Sequence, residues 1–443
     1  MADKIDTPEE RTAKVIDMFD LRGGESRGTH RVMSMLRPDA KSPYATTANA
    51  LAILSNDPPL SDLLGFNEFT GQYLIRRAPP VAQDGDAGLP GPYPRPWDDP
   101  EVALLLSYVQ RVWCQKMTKP ALTDAMIAEA SRHRFHPVRD WLASLRWDGE
   151  ERIDTWLRVA FGAIPPKGAA RHLGEYIAAV GAKLLIASVR RVRQPGCKYD
   201  QLVVLEGGQG LGKSRAVKAL YGREWFSDSM HPDFGNRDAP ISMRGAWGIE
   251  LAEIAELIRN GDEVFKAFMS RPVDRYRPIH GKFVIDVPRQ CVLVGTTNAT
   301  DYLRDTTGNR RIWPVRCEGA DVEWIERERE QLWAEAAHRE AQGEPLYLDE
   351  SDTRKAAEDE QSARMIEDTW TDRVLDFIAG KHSTTTADVL GAGLNIPLIQ
   401  QDRKTEMRIA GILKSAGWTV KTERIGGRTP RVWRPKDKPE LPF

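Results

Sequence analysis

Residues 201–220 read QLVVLEGGQGLGKSRAVKAL. An apolar run, Leu202 to Leu205, leads into Gly207-Gly208-Gln209-Gly210-Leu211-Gly212-Lys213-Ser214, and a helical pattern follows at once. This is G-x-x-x-x-G-K-S after a strand and before a helix, the setting the motif requires. Its glycines let backbone N–H groups turn inward around phosphate oxygens, and the helix start adds the positive end of its dipole. The spacing predicts that Lys213 reaches the β- and γ-phosphates and that the Ser214 hydroxyl ligates Mg²⁺. ATP and Mg²⁺ are therefore the expected cofactors. The alternative is a glycine loop that opens a helix by chance.

Working outward, composition sets bounds. The chain has 443 residues, more than one ordinary core accommodates, so about two to four domains are expected. Its hydrophobic and charged fractions, 41% and 29%, are those of a globular protein. A net charge of −1 gives no global field toward nucleic acid, so any DNA site must be a local basic patch. Without an evident apolar stretch of about 18 residues, and with the acidic, polar start MADKIDTPEE, a cytoplasmic protein with no membrane partner is expected. Cys114, Cys197, Cys291 and Cys317 are widely dispersed, which argues against zinc and for a reducing compartment.

Upstream of the loop, residues 1–42 read as a frayed or partly helical leader. A short helix is predicted at Thr46–Leu54, two short strands about Thr70-Gly71, and a Pro/Gly-rich loop over Val81–Pro100. Amphipathic helices follow at Glu101–Gln115 and Leu122–His133. No D-x-D carboxylate pair on a strand and no metal-ligand spacing marks a primase or polymerase site here. His136–Trp156 is dense in aromatic and charged residues at helical spacing, best read as a packing helix. Tyr176–Arg193 is a further helix, ending at Gln194-Pro195-Gly196.

Downstream, AWGIELAEI (Ala246–Ile254) is an apolar strand ending in Glu250, with Glu253 three residues on. ATP hydrolysis needs an acid near Mg²⁺ and a carboxylate to orient the attacking water. Glu250 is assigned the first task, or both. An adjacent acidic pair is the usual form, and the three-residue spacing departs from it. Gln290–Thr297 reads as a buried strand ending at Asn298, which is either a γ-phosphate sensor or a turn former. Between the two strands, Asp274–Val287 alternates like a hairpin. Arg271, Arg275, Arg277, His280, Lys282 and Arg289 cluster there against Asp274 and Asp286, as a phosphate-contacting surface or a solvated edge. In Asp301–Val315, Gly308-Asn309 turns the chain and presents Arg310 and Arg311. Arginine suits a γ-phosphate because its fork is permanently charged and bidentate. With Arg304 a third candidate, the sequence leaves open which acts in cis and which across a subunit interface.

Val322–Gln342 is a charged helix, and Leu346–Thr369 a polar, acidic linker with helical character. Helices at Thr371–Ala379, Thr386–Leu390 and Arg403–Ser415, then strands at Trp418–Arg424 and Thr429–Trp433 about Gly426-Gly427, predict a winged helix. Arg403, Lys404, Arg408, Lys414, Lys421, Arg424, Arg428, Arg431 and Arg434 gather on its third helix and wing, as a DNA surface or a protein-contact module.

The ordered set HPVRDWL, WDG, RID, PGCKYDQLVVLEGGQGLGKS, AWGIELAE, DRYRPIHG, PRQCVLVGTTN and LRDTTGNRRIWPV resembles the virulence-associated E family. These P-loop ATPases of phages and mobile elements are similar to superfamily 3 and AAA+ helicases, and the resemblance covers residues 130–320. It implies a replication ATPase in a bacterial host cell that forms a ring, a hexamer foremost, and unwinds DNA, with priming left to a separate primase. It also implies that a basic hairpin contacts single-stranded or forked DNA, which here falls on Arg275, Arg277, His280 and Lys282. The expected fold is α/β: a P-loop core with parallel strands, a mostly helical N-terminal region and a C-terminal winged helix. The expected units are a leader (1–42), an N-terminal domain (43–195), an ATPase domain (196–345), a linker (346–369), a winged helix (370–435) and a tail (436–443). An ATP-switched DNA-binding regulator and a non-motor assembly or defence ATPase remain as alternatives.

Overall fold

The computed structural model describes residues 36, 43–80, 89, 91–165, 171–230, 233–236, 238–259, 263–277, 283–303, 309–348, 351–365, 369–422 and 431–436. The leader (apart from Leu36), the tail beyond residue 436, Arg304, His280, Lys282 and the Gly426-Gly427 turn therefore lie outside the described residues.

The N-terminal unit has its own buried cluster, running from Leu36 to Ala130. Its helices start where side chains can cap them. Thr46 accepts from the Asn49 N–H ahead of Thr47–Asn56, and Asp98 forms a capping box with Glu101 ahead of Asp99–Val112. Thr118 caps Lys119–Ala130. Strands β1 (Leu64–Asn67), β2 (Gln72–Ile75), β3 (Arg95–Pro96) and β4 (Arg134–Phe135) make a sheet in the order β3-β2-β1-β4. Beside these helices the sheet is small: β3 and β4 have two residues each, too few to leave a period-2 pattern in the sequence.

The central sheet is parallel throughout. Strands β5 (Leu202–Glu206), β6 (Phe226–Ser227), β7 (Gly248–Leu251), β10 (Val292–Thr297) and β11 (Ile312–Arg316) lie in the order β11-β5-β10-β7-β6. After β5 the chain crosses to the far edge and steps back through β7 and β10. It finishes on the other side of β5, so β5 sits at a switch point, where α/β sheets open a crevice at their carboxyl ends. Between β7 and β10, β8 (Val273–Tyr276) and β9 (Ile285–Pro288) form a separate antiparallel pair.

The helices Pro137–Ser144, Trp156–Phe161 and Arg171–Arg193 share one buried cluster with β5 and β10, so packing shows no break at residue 195. Arg171–Arg193 is apolar nearly all round because it is enclosed: Leu184 to Ala187 are at most 1% exposed. By length and composition the span His172–Arg193 could cross a membrane, contrary to the sequence reading, yet most of it is core. The expected linker is also built in. Its helix Ser351–Ser362 buries Ala356, Ala357 and Gln361, and Gln361 donates to the Ile312 carbonyl of β11 at 2.8 Å.

The C-terminal unit has a separate cluster, from Val374 to Trp433. Helices Thr371–Ile378 and Arg403–Ser415 flank shorter turns, and β12 (Trp418–Thr422) pairs antiparallel with β13 (Arg431–Pro435). Arg403, Arg408, Lys414, Lys421, Arg431 and Arg434 are exposed on this helix and strand pair.

One glycine shows how tightly the start of β7 is packed. A Cβ on Gly248, the first residue of β7, would lie 2.2 Å from the ring of the buried Tyr221. Tyr221 cannot retreat, because it packs against Trp247 and Trp333 and its hydroxyl meets Ser188 Oγ at 2.9 Å. Gly248→Ala should cost about 1–3 kcal/mol, read as an earlier urea midpoint; an unchanged midpoint would mean the packing around β7 is loose.

Candidate functional site

The residues singled out in sequence converge at the carboxyl end of the parallel sheet. The loop after β5 begins with Gly207, whose N–H donates to the Thr297 carbonyl at the end of β10 (3.2 Å). No larger residue fits: a Cβ there would sit 2.5 Å from the Cys317 carbonyl oxygen. Gly212, at φ +85°, takes the left-handed turn that starts helix Lys213–Tyr221. Cβ positions on Gly208 and Gly210 meet nothing within 4 Å, so this stretch, with Gln209 and Leu211 between its glycines, borders open space. The first N–H groups of a helix lack intrahelical partners, a chemistry that favours an anion at a helix start.

Lys213, only 7% exposed, folds back over the loop. Its Nζ donates to the carbonyls of Gly207 (2.7 Å) and Gly208 (2.9 Å) and to Asn298 Oδ1 (3.1 Å). Burial lowers its pKa from the ordinary value, while the charges of Glu253 and Glu250 act the other way. The Cys317 thiol is itself buried, pushed up to about 12 by desolvation, and brings no charge to the site at neutral pH.

Glu250 is 2% exposed, and its Oε1 accepts from Ser214 Oγ and from Thr296 Oγ1, each at 2.6 Å. The strand register explains the meeting: β7 and β10 are parallel neighbours, with Glu250 opposite Val294 and Thr296 one step nearer the carboxyl edge. Glu253 lies outside the strand, but the chain turns there with φ +48°, a costly conformation for a side chain larger than glycine. That turn brings Glu253 Oε1 to 3.1 Å from Asn298 Nδ2. The three-residue spacing is thus absorbed by a backbone turn, and two carboxylates take separate places. Glu250 stands by Ser214, and Glu253 by Asn298 and Lys213. Thr296 escaped the sequence reading although it lies two residues before Asn298 on the same strand.

A hydroxyl beside a carboxylate is the sparse, hard-oxygen set that suits Mg²⁺ when substrate phosphates complete its shell. Among the described residues no group of three or more His, Cys, Asp or Glu could hold a metal on its own. The residues present fit Mg²⁺·nucleotide: Gly207 to Ser214 would hold phosphates, and Ser214 and Glu250 the cation.

The arginines lie elsewhere. Arg310 and Arg311 precede β11, whose Ile312 pairs with Leu202 at the amino end of β5. At about 3.3 Å per residue, a five-residue strand separates them from the loop by about 16 Å. Arg311 donates to Asp200 Oδ2 at 3.0 Å, and Arg310 is exposed. Neither meets the glycine loop of its own chain. Arg289 leaves the expected basic surface altogether. It is 5% exposed, with Nε and Nη2 on the two Asp274 oxygens (2.7 and 2.8 Å) and Nη1 on the Phe268 carbonyl. This buried pair locks the base of β8–β9. Arg275 and Arg277 are exposed on β8 and just after it, with Arg275 3.6 Å from Asp286 across the pair.

Comparison with known proteins adds the following. The family model for the virulence-associated protein E-like domain matches residues 142–366. Two solved structures of the NrS-1 C-terminal region (305–718), an A-form apo structure and an apo structure, align at 12% identity. Each alignment covers 84% of this chain and 96% of that one, with TM-scores of 0.41 and 0.38. No curated protein matches.

Thr296→Val keeps the side-chain shape and removes one of the two hydroxyls on Glu250. It should cost about 1–3 kcal/mol in chemical denaturation; full wild-type stability would mean the Thr296–Glu250 bond contributes nothing.

Proposed function

The chain belongs to the virulence-associated protein E-like family, and on that footing we propose that it is a Mg²⁺-dependent ATPase of phage or mobile-element replication, acting on single-stranded or forked DNA as a ring-forming helicase. The observation that carries this reading is the convergence at one sheet edge of Lys213 on Asn298 and Ser214 on Glu250. The roles divide by position. The glycine loop and Lys213 bind the phosphates, and Ser214 and Glu250 support Mg²⁺. Glu253 is placed to orient the attacking water and Asn298 to sense the γ-phosphate.

The location of Arg310 is compatible with a ring: exposed near the amino end of the sheet and away from its own glycine loop, it is free to face the site of a neighbouring copy. Arg275 and Arg277 on the β8–β9 pair, with His280 and Lys282 between its two strands in sequence, are the proposed DNA contacts. Such contacts to phosphate are salt-sensitive and indifferent to base sequence. The C-terminal unit, read as a winged helix, adds a second basic surface on Arg403–Ser415 and β12–β13. Bound nucleotide supplies the phosphoanhydride to be cleaved, and the protein supplies position and charge.

Lys213→Ala should lower ATP turnover at least about 100-fold with an unchanged circular dichroism spectrum. Glu253→Gln should retain ATP binding while losing a similar factor in turnover. Single-stranded DNA should stimulate the wild type, which should displace a strand from a forked duplex and gain mass as an oligomer with ATP. Undiminished hydrolysis in Lys213→Ala would sink the site assignment. Hydrolysis without DNA stimulation would leave an ATPase that is not a DNA motor.

A further inference from the structure

Directly ahead of the glycine loop lies a buried charge that the nucleotide reading does not use. Glu206, the last residue of β5 and the neighbour of Gly207, is 5% exposed. A carboxylate there, one residue from a loop built for phosphates, would repel the polyphosphate it adjoins, and burial would carry that repulsion further than in water. Arg364 cancels it. Its Nε and Nη2 donate to the two Glu206 oxygens, each at 2.7 Å, in a bidentate fork that is 7% exposed on the arginine residue. Tyr302 Oη donates to Glu206 Oε1 at 2.6 Å. Burial first, then the Glu206 charge, pushes this hydroxyl well above its ordinary range, so it stays a donor.

Arg364 is itself held from three sides. The Tyr302 and Leu303 N–H groups donate to its carbonyl at 3.1 and 3.0 Å, fastening it to the segment that follows Asn298. Its Nη1 reaches Glu360 Oε2 at 2.7 Å, a carboxylate 22% exposed and so partly screened by water. The Glu206 carbonyl accepts from Cys317 N–H at 2.7 Å, the same residue whose carbonyl crowds Gly207. The fork therefore fixes the orientation of the strand end from which the loop springs.

We propose that Arg364 is a positioning residue for the nucleotide site: it neutralises Glu206 beneath the phosphate loop, so that affinity depends on this pair in proportion to the charge of the nucleotide. The inference rests on the nucleotide reading above and adds a residue 150 positions from the loop motif.

The test is equilibrium binding of ATP, ADP and AMP with Mg²⁺ to the full chain, by calorimetry. Arg364→Met should weaken ATP at least about tenfold, ADP less and AMP least. The double variant Glu206→Gln/Arg364→Met should recover ATP affinity to within a few-fold of wild type. An equal loss for all three nucleotides, no loss, or no recovery in the double variant would overturn the proposal, since a merely structural pair gives no charge-graded effect. If Arg364→Met fails to fold, Glu206→Gln decides: ATP binding unchanged or tighter supports the proposal, and weaker binding overturns it. A wild type that binds none of the three nucleotides would instead defeat the nucleotide reading itself.

Discussion

The arrangement depends on one buried carboxylate. Glu250 sits almost out of contact with water, and its cost there is met by two short hydroxyl bonds, from Ser214 on the helix after β5 and Thr296 on β10. Those bonds tie the start of that helix to the carboxyl ends of the parallel neighbours β7 and β10. They also put a hydroxyl and a carboxylate side by side at the mouth of the glycine loop. Both bonds fall on Oε1, and no basic side chain is among the donors. The same contact thus serves the fold and the proposed chemistry.

A second buried pair does comparable work at the opposite end of β10. Asp274 and Arg289 lock the base of the β8–β9 pair against Phe268, whose ring lies 4.2 Å from the guanidinium carbon. The N-terminal unit reaches the same region. Arg244 links the Thr70 carbonyl to Tyr276 Oη on β8, and the His136 ring meets Gln290 Oε1 just after β9. The strand pair proposed to contact DNA is therefore fastened both to the N-terminal unit and to the sheet, while Arg275 and Arg277 stay exposed.

Much of the site was legible in the sequence because the motifs constrain backbone and chemistry together. Gly207 and Gly212 are required by close approach and by a left-handed turn, and β7 and β10 are short, largely apolar runs that carry Glu250 and Thr296 near their carboxyl ends. What was not legible has physical causes. β3 and β4 are too short for periodicity. The segment around Ser351–Ser362 reads as a polar linker because it buries small residues and one amide rather than a large apolar face. The charged run of β8–β9 conceals that Arg289 points inward. Arg310 and Arg311 stand near the site motifs in sequence, yet parallel strand direction puts the start of β11 at the amino end of the sheet, away from the loop. Glu206 and Arg364 leave no signal, since nothing in spacing joins residues so far apart.

The central claim is that Ser214 and Glu250 form the cation side of a nucleotide site. It is tested most directly by a crystal structure of the chain with Mn²⁺ and a non-hydrolysable ATP analogue, using the manganese anomalous signal. The account predicts a single strong peak about 2.1 Å from Ser214 Oγ, with Glu250 bound to it directly or through one water, and the phosphates inside the 207–213 loop. A peak elsewhere, or a nucleotide bound with its phosphates outside that loop, would contradict it.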